Sequence, residues 1–175
     1  ADRVVIMHEG KIVQIGTPDE VFHDPVNEFV VNFLGNVNAF HGRLEAGHVH
    51  VGDVALDAPL RHGGAAGAVR VFVRPQDWIV ETHANGRPSL KATVSLSNAA
   101  GPHVRLQVAA ENGEHIDVEI PHDRYQQLSL YVGATVFLVP REMKLFVDGA
   151  DGYAAAQAAR EYMAREARNL SPAGP

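Results

Sequence analysis

The sequence contains no cysteine. That excludes disulfide staples and thiolate metal sites, and it suits a reducing compartment. Aromatic residues are sparse at 7%, with one tryptophan, Trp78. An oligonucleotide-binding groove needs basic charge and stacking aromatics. Here 15 Lys and Arg stand against 21 Asp and Glu, a formal net charge of −6. Such a chain has no cationic surplus for phosphates, so no nucleic-acid partner is expected. No apolar run approaches the roughly 20 residues of a membrane-spanning helix. No signal-peptide pattern of charged n-region and apolar h-region is visible. The G-x-x-x-x-G-K-[ST] loop that cradles nucleotide phosphates is also missing. What remains is an ordinary globular composition, 46% hydrophobic, in 175 residues that allow one or two domains.

The first 35 residues carry the densest local signals. Val4 to Met7 is a continuous apolar run, as in a strand buried on both faces. Glu9-Gly10 signals a turn, and Lys11 to Ile15 reads as a second, β-branched strand. The register of this hairpin stays open, because both faces look apolar. Thr17, Pro18 and Glu20 fit a helix N-cap, N1 and N3, which is a capping box. Asp24-Pro25 reads as the opening of a second helix. In it Val26, Phe29, Val30, Phe33 and Leu34 form one apolar stripe, closed by Gly35 at C′. A two-faced strand needs neighbours that residues before Val4 do not supply. The chain is therefore expected to be the C-terminal piece of a longer protein.

After Gly35 the helical spacing gives way to strand alternation. Asn38 to Leu44, the pairs Val49/Val51 and Val54/Leu56, Val69 to Val73 and Trp78 to Val80 read as strands. His62 to Gly67 reads as a flexible loop and Asn85 to Pro88 as a turn. Val94 and Leu96 are expected on one face, with Thr93 and Ser95 on the other. Val104, Leu106 and Val108 alternate with polar residues, as do Ile116, Val118 and Ile120. A three-residue loop, Glu111 to Gly113, pairs Val108 with Ile116, Leu106 with Val118 and Val104 with Ile120. It also sets Arg105 opposite Glu119 and gives Gly113 the left-handed position. Pro121 to Leu128 reads as a short helix, and Thr135 to Val139 and Leu145 to Val147 as closing strands. Many short strands with turn signals indicate a small barrel or sandwich. From Asp151 an Ala-rich stretch reads as a marginal helix with a frayed end.

Two constellations invite a chemical reading. His48 and His50 share one strand face, but Val49 and Val51 claim the buried face. The histidines are then solvent-facing, and no metal site is expected without further ligands. His41, His62, His83, His103, His115 and His122 lie at turns and strand ends and read as solvent-facing. Arg74-Pro75-Gln76-Asp77 resembles the V-R-P-x-D element of the regulatory domain of ABC importer ATP-binding subunits, and the resemblance implies inter-domain contact or small-anion sensing. The structural alternative is preferred: proline ends a strand, while Arg74 and Asp77 satisfy backbone or each other. Phe29, Phe33 and Leu34 could face a partner, although an apolar helix stripe is more often core.

Asp2-Arg3-Val4-Val5-Ile6-Met7, Gly10, Ile12, Gln14, Gly16-Thr17-Pro18, Glu20, Phe22, Pro25, Phe29-Val30, Phe33-Leu34-Gly35 and Asn38 resemble the end of the ATPase core of an ABC importer subunit. The residues from Val37 onward, including Arg74, Pro75 and Asp77, resemble the OB-like regulatory (TOBE) domain of sulfate/thiosulfate importer ATP-binding subunits. The resemblance implies three parts. Residues 1–36 end the ATPase core as a strand hairpin and two short helices, 37–149 form the OB-like regulatory domain, and 150–175 an Ala-rich helical tail. The implied fold is mainly β, a small OB-like barrel or sandwich behind that stub. It implies ATP and Mg in the parent subunit, but no cofactor, catalytic residue or metal site in these residues, which should not hydrolyse ATP alone. The family's phosphate loop, Ser-Gly-Gly signature, catalytic carboxylate and switch histidine are all missing here. Implied partners are a second copy of the ATPase subunit and the transmembrane permease subunits. The implied location is cytoplasmic, peripheral on the inner face of the plasma membrane. Arg74, Pro75 and Asp77 are the regulatory-motif candidates. Phe29, Phe33 and Leu34 are the core-docking or interface candidates. The alternative is a free-standing OB-like oxyanion-binding module of the molybdate type, which would have no use for Val4 to Met7.

Overall fold

The computed structural model describes residues 2–59 and 66–147. The Ala-rich tail and most of the His62–Gly67 loop lie outside the described residues. The chain divides into two compact units, with the boundary after Gly35, and the second unit runs Asn36–Leu145.

The first unit is built on a hairpin of β1 (Val4–His8) and β2 (Lys11–Gly16). Glu9 and Gly10 both take positive φ, 48° and 72°, the geometry of a two-residue turn that follows strand twist. The register left open by the sequence is Val5 opposite Ile15 and Ile6 opposite Gln14, then a shift before Met7 meets Ile12. Helix α1 (Pro18–His23) starts at the expected capping box: Thr17 Oγ1 accepts from the Glu20 amide, and Glu20 Oε2 accepts from the Thr17 amide. Helix α2 (Glu28–Phe33) starts later than expected. Its cap is Asn27, whose Oδ1 accepts from the Val30 amide, while Asp24 closes α1. A six-residue helix cannot use the whole stripe. Val30 and Val31 are buried, and Phe33 is 63% exposed. The core is Ile6, Val21 and Val30, with Val4, Val13, Val26, Phe29 and Leu34 packed on it. Buried Gln14 ties strand to helices: its Nε2 donates to Asp24 O, and its Oε1 accepts from the Val26 amide. The expectation that β1 is buried on both faces does not hold in this chain, where Val5 is 51% and Met7 57% exposed.

From Asn38 to Val147 the chain forms strands, most of them short and paired antiparallel, in two sheets. One sheet has the order β12-β6-β3-β4-β5, where β3 is Asn38–Glu45, β4 His48–Val51, β5 Val54–Asp57, β6 Gly67–Val73 and β12 Lys144–Val147. The other has the order β10-β9-β8-β11-β7, where β7 is Trp78–Glu81, β8 Leu90–Ala100, β9 His103–Ala110, β10 His115–Pro121 and β11 Thr135–Pro140. No closed barrel forms among the described strands. Helix α3 (His122–Leu128) follows β10. The β9–β10 hairpin has the register that charge and polarity dictated, with Val108, Leu106 and Val104 opposite Ile116, Val118 and Ile120. Arg105 Nε reaches Glu119 Oε2 at 3.3 Å, and Gly113 has φ +85°. Alternation fails at Leu96. A bulge between Val94 and Leu96 turns Leu96 outward, 54% exposed, while Val94 stays buried.

Candidate functional site

The sequence places Arg74-Pro75-Gln76-Asp77 where β6 ends, and the structure shows why a corner is needed there. The chain leaves one sheet at Val73 and enters the other at Trp78. Proline has no ladder N–H and presets φ, so Pro75–Asp77 forms a single 3-10 turn. The Asp77 amide donates to Arg74 O at 3.0 Å, closing it. The Arg141 amide donates to Asp77 O at 2.6 Å.

Arg74 is buried at 8% exposure. Desolvation lowers its pKa from the ordinary guanidinium value, and the charge of Asp77 opposes that shift. The corner thus holds Arg74, Pro75 and Asp77 in one turn. Asn38 lies beside it: Nδ2 donates to Val73 O and Asp117 O, and Oδ1 accepts from the Asp117 amide. One buried amide therefore bridges β6 in one sheet to β10 in the other. Phe40 meets Trp78 edge to face, with ring centroids 6.1 Å apart.

A cleft of about 480 Å³ opens at this corner. Its wall includes Asp77, Trp78, Glu119, Asp123, Arg124 and Arg141. Arg124 is fixed across it, its Nη2 donating to Val80 O and to Glu81 Oε2 at 3.2 and 3.3 Å. Trp78 Nε1 is buried without a hydrogen-bond acceptor among the described residues. The cleft mixes both signs of charge, and Glu119 already meets Arg105. It contains no paired nucleophile and base, and no three metal-ligating side chains are grouped among the described residues. Sequence reasoning missed this cleft because its wall comes from strands, corner and helix far apart in the chain. No spacing rule collects such residues.

The remaining candidates fall elsewhere. Phe29 stacks on His8 at 4.1 Å and on Phe33 at 5.7 Å, and Leu34 packs on the first unit's core. Only Phe33 of the three is mainly exposed. His48 is exposed and 3.6 Å from Asp57, with His50 half-buried, while Val49 and Val51 are buried. His122 departs from the solvent-facing reading: it is half-buried, with Nδ1 enclosed.

At the start of each short helix one amide is capped by a side chain, that of Glu20 by Thr17 Oγ1 and that of Val30 by Asn27 Oδ1. No glycine-rich loop leads into either helix.

Comparison with known proteins places this architecture. Residues 38–80 match the CysA C-terminal regulatory domain family, and residues 84–141 match the TOBE-like domain family. A sulfate/thiosulfate import ATP-binding protein of Nitrosomonas europaea is 44% identical over 149 residues, covering 83% of this chain and 41% of the relative. The same-named protein of Bacillus cereus (strain ATCC 10987) is 40% identical, covering 84% and 42%. That of Ralstonia nicotianae is 38% identical over 168 residues, covering 91% and 45%. The chain thus spans about two-fifths of the length of these curated relatives. Among solved structures, the molybdate-bound cytoplasmic protein ModG aligns with TM-score 0.53 at 20% identity. The alignment covers 63% of this chain and 95% of that one. That likeness shows an OB-like arrangement of the sheets.

Proposed function

This chain belongs to the family of sulfate/thiosulfate import ATP-binding proteins, and we propose that it supplies their regulatory and subunit-contact end rather than their chemistry. The observation that carries this reading is the coincidence of the strand-rich unit, Asn36–Leu145, with the two regulatory-domain matches, 38–80 and 84–141. The molybdate-module alternative rests on ModG alone. At 20% identity that likeness speaks to fold, whereas the importer relatives reach 44%.

In this reading residues 1–36 complete an ATPase core, 37–149 form the regulatory domain, and 150–175 are an appended tail. ATP and Mg belong to the parent subunit. A second ATPase subunit and membrane permeases are its partners, at the inner face of the plasma membrane. No helix among the described residues is long and apolar enough to cross a membrane. The exposed apolar side chains Val5, Met7 and Phe33 support docking of the first unit onto further protein. Arg74, Pro75 and Asp77 hold the corner from which the cleft is reached.

A chimera tests the proposal. These residues replace the corresponding region of the Nitrosomonas europaea protein in cells lacking the importer's ATP-binding subunit. The chimera is expected to hydrolyse ATP and restore sulfate uptake, while this chain alone releases no phosphate above a no-protein control. A folded, ATP-hydrolysing chimera that takes up no sulfate contradicts it, as does phosphate release by the chain alone.

A further inference from the structure

The sequence contains two Asn-Gly pairs in exposed loops, Asn85-Gly86 and Asn112-Gly113. The structure treats them differently. We propose that Asn85 is a site of spontaneous amide-to-acid conversion in this domain, and that Asn112, with the same neighbour, is protected by its hydrogen bonds.

The chemistry is intramolecular. The Gly86 backbone nitrogen attacks Asn85 Cγ, forming an N–C bond and passing its proton to solvent base. The Cγ–Nδ2 bond breaks and ammonia leaves, giving a five-membered imide. Water opens either carbonyl of that ring, leaving aspartate or an isoaspartyl linkage. No oxidant or reductant is consumed. The step needs an accessible amide, a free backbone N–H and no side chain on the following residue.

Asn85 meets these needs. Asn85 and Gly86 are exposed, and a Cβ built on Gly86 would meet nothing within 4 Å. Among the described residues the Asn85 side chain makes one hydrogen bond, a 3.3 Å contact from the Arg87 amide to Oδ1. Among the described residues no acceptor engages the Gly86 amide. At Asn112 both reacting groups are held. Oδ1 accepts from the Glu114 amide at 3.1 Å, and Nδ2 donates to Glu114 Oε2 at 3.0 Å. The nucleophile itself, the Gly113 amide, donates to Ala110 O at 2.9 Å inside the hairpin turn. Asn112 must therefore break two more hydrogen bonds than Asn85. At ordinary net strengths that slows it by about tenfold.

The product has a consequence for the domain. A carboxylate appears on a chain whose formal charge is already −6. The isoaspartyl form also lengthens the backbone of the segment joining β7, which lines the cleft, to β8.

The test incubates the full chain at mildly alkaline pH, folded and in denaturant, and follows each site by peptide mapping with mass spectrometry. Asn98, in β8 before Ala99, is the internal reference and Asn85→Gln the control. In the folded chain Asn85 is expected to convert about tenfold faster than Asn112, giving both isoaspartate and aspartate. In denaturant the gap closes. Equal folded rates overturn the proposal, as does a gap unchanged in denaturant, or conversion at Asn85 no faster than at Asn98. Aspartate as sole product would also overturn it, because direct hydrolysis forms no imide.

Discussion

Asn38 serves three backbone groups with one side chain: two carbonyls and an amide from strands in different sheets. Replacing it with leucine keeps approximate size and leaves those groups without their partner. The variant is expected to lose about 1–3 kcal/mol, read as a lower denaturant midpoint at unchanged slope. Asp77 is the second informative residue. If the corner is structural, Asp77 matters with no ligand present, because it offsets the desolvated charge of Arg74. Asp77→Asn should then cost about 1–3 kcal/mol in ligand-free buffer. A melt indistinguishable from the parent chain would remove the structural reading and leave contact or sensing. The types at this corner were legible in the sequence, since proline announces the strand's end. The burial of Arg74 was not, because it depends on which sheet the chain enters next.

At the scale of elements, legibility followed the strength of the local rule. The β9–β10 register could be derived because one slip would have put Gln107 against the apolar face. The bulge after Val94 could not, since Ser95 and Leu96 continue an alternation that only pairing with β9 interrupts. Asp24 and Asn27 are both competent caps. The shorter helix won because Gln14 holds Asp24 O and the Val26 amide in a non-helical bend. The β3–β4 turn offers a stability test. Ala46 and Gly47 have φ of 50° and 79° in a two-residue loop. Alanine is strained at such angles and asparagine is not. Ala46→Asn should raise stability by up to about 1 kcal/mol, seen as a higher midpoint in urea. An unchanged or lower midpoint would argue against this turn.

For the whole molecule, the change of periodicity after Gly35 was readable and coincides with the boundary between the compact units. The cleft was not readable, because it belongs to topology rather than to any segment. The two units also differ in what they bury. The second has the apolar interiors of two sheets, with Val49, Val104, Val108, Ile116, Val136 and Leu138 at 0% exposure. The first rests on Ile6, Val21 and Val30 and leaves Val5, Met7 and Phe33 outside. Roughly 110 residues can fold without disulfides, whereas a hairpin with two short helices has little core of its own. The central claim, that the regulatory domain is a separable unit carrying the fold, is tested most directly by expressing Val37 to Gly149 alone and recording its thermal unfolding beside that of the full chain. A single cooperative transition in a monodisperse truncation, with the full chain more prone to aggregate, is the predicted result. An unfolded truncation beside a well-behaved full chain would contradict it, by showing that the hairpin and helices belong to the domain's own core.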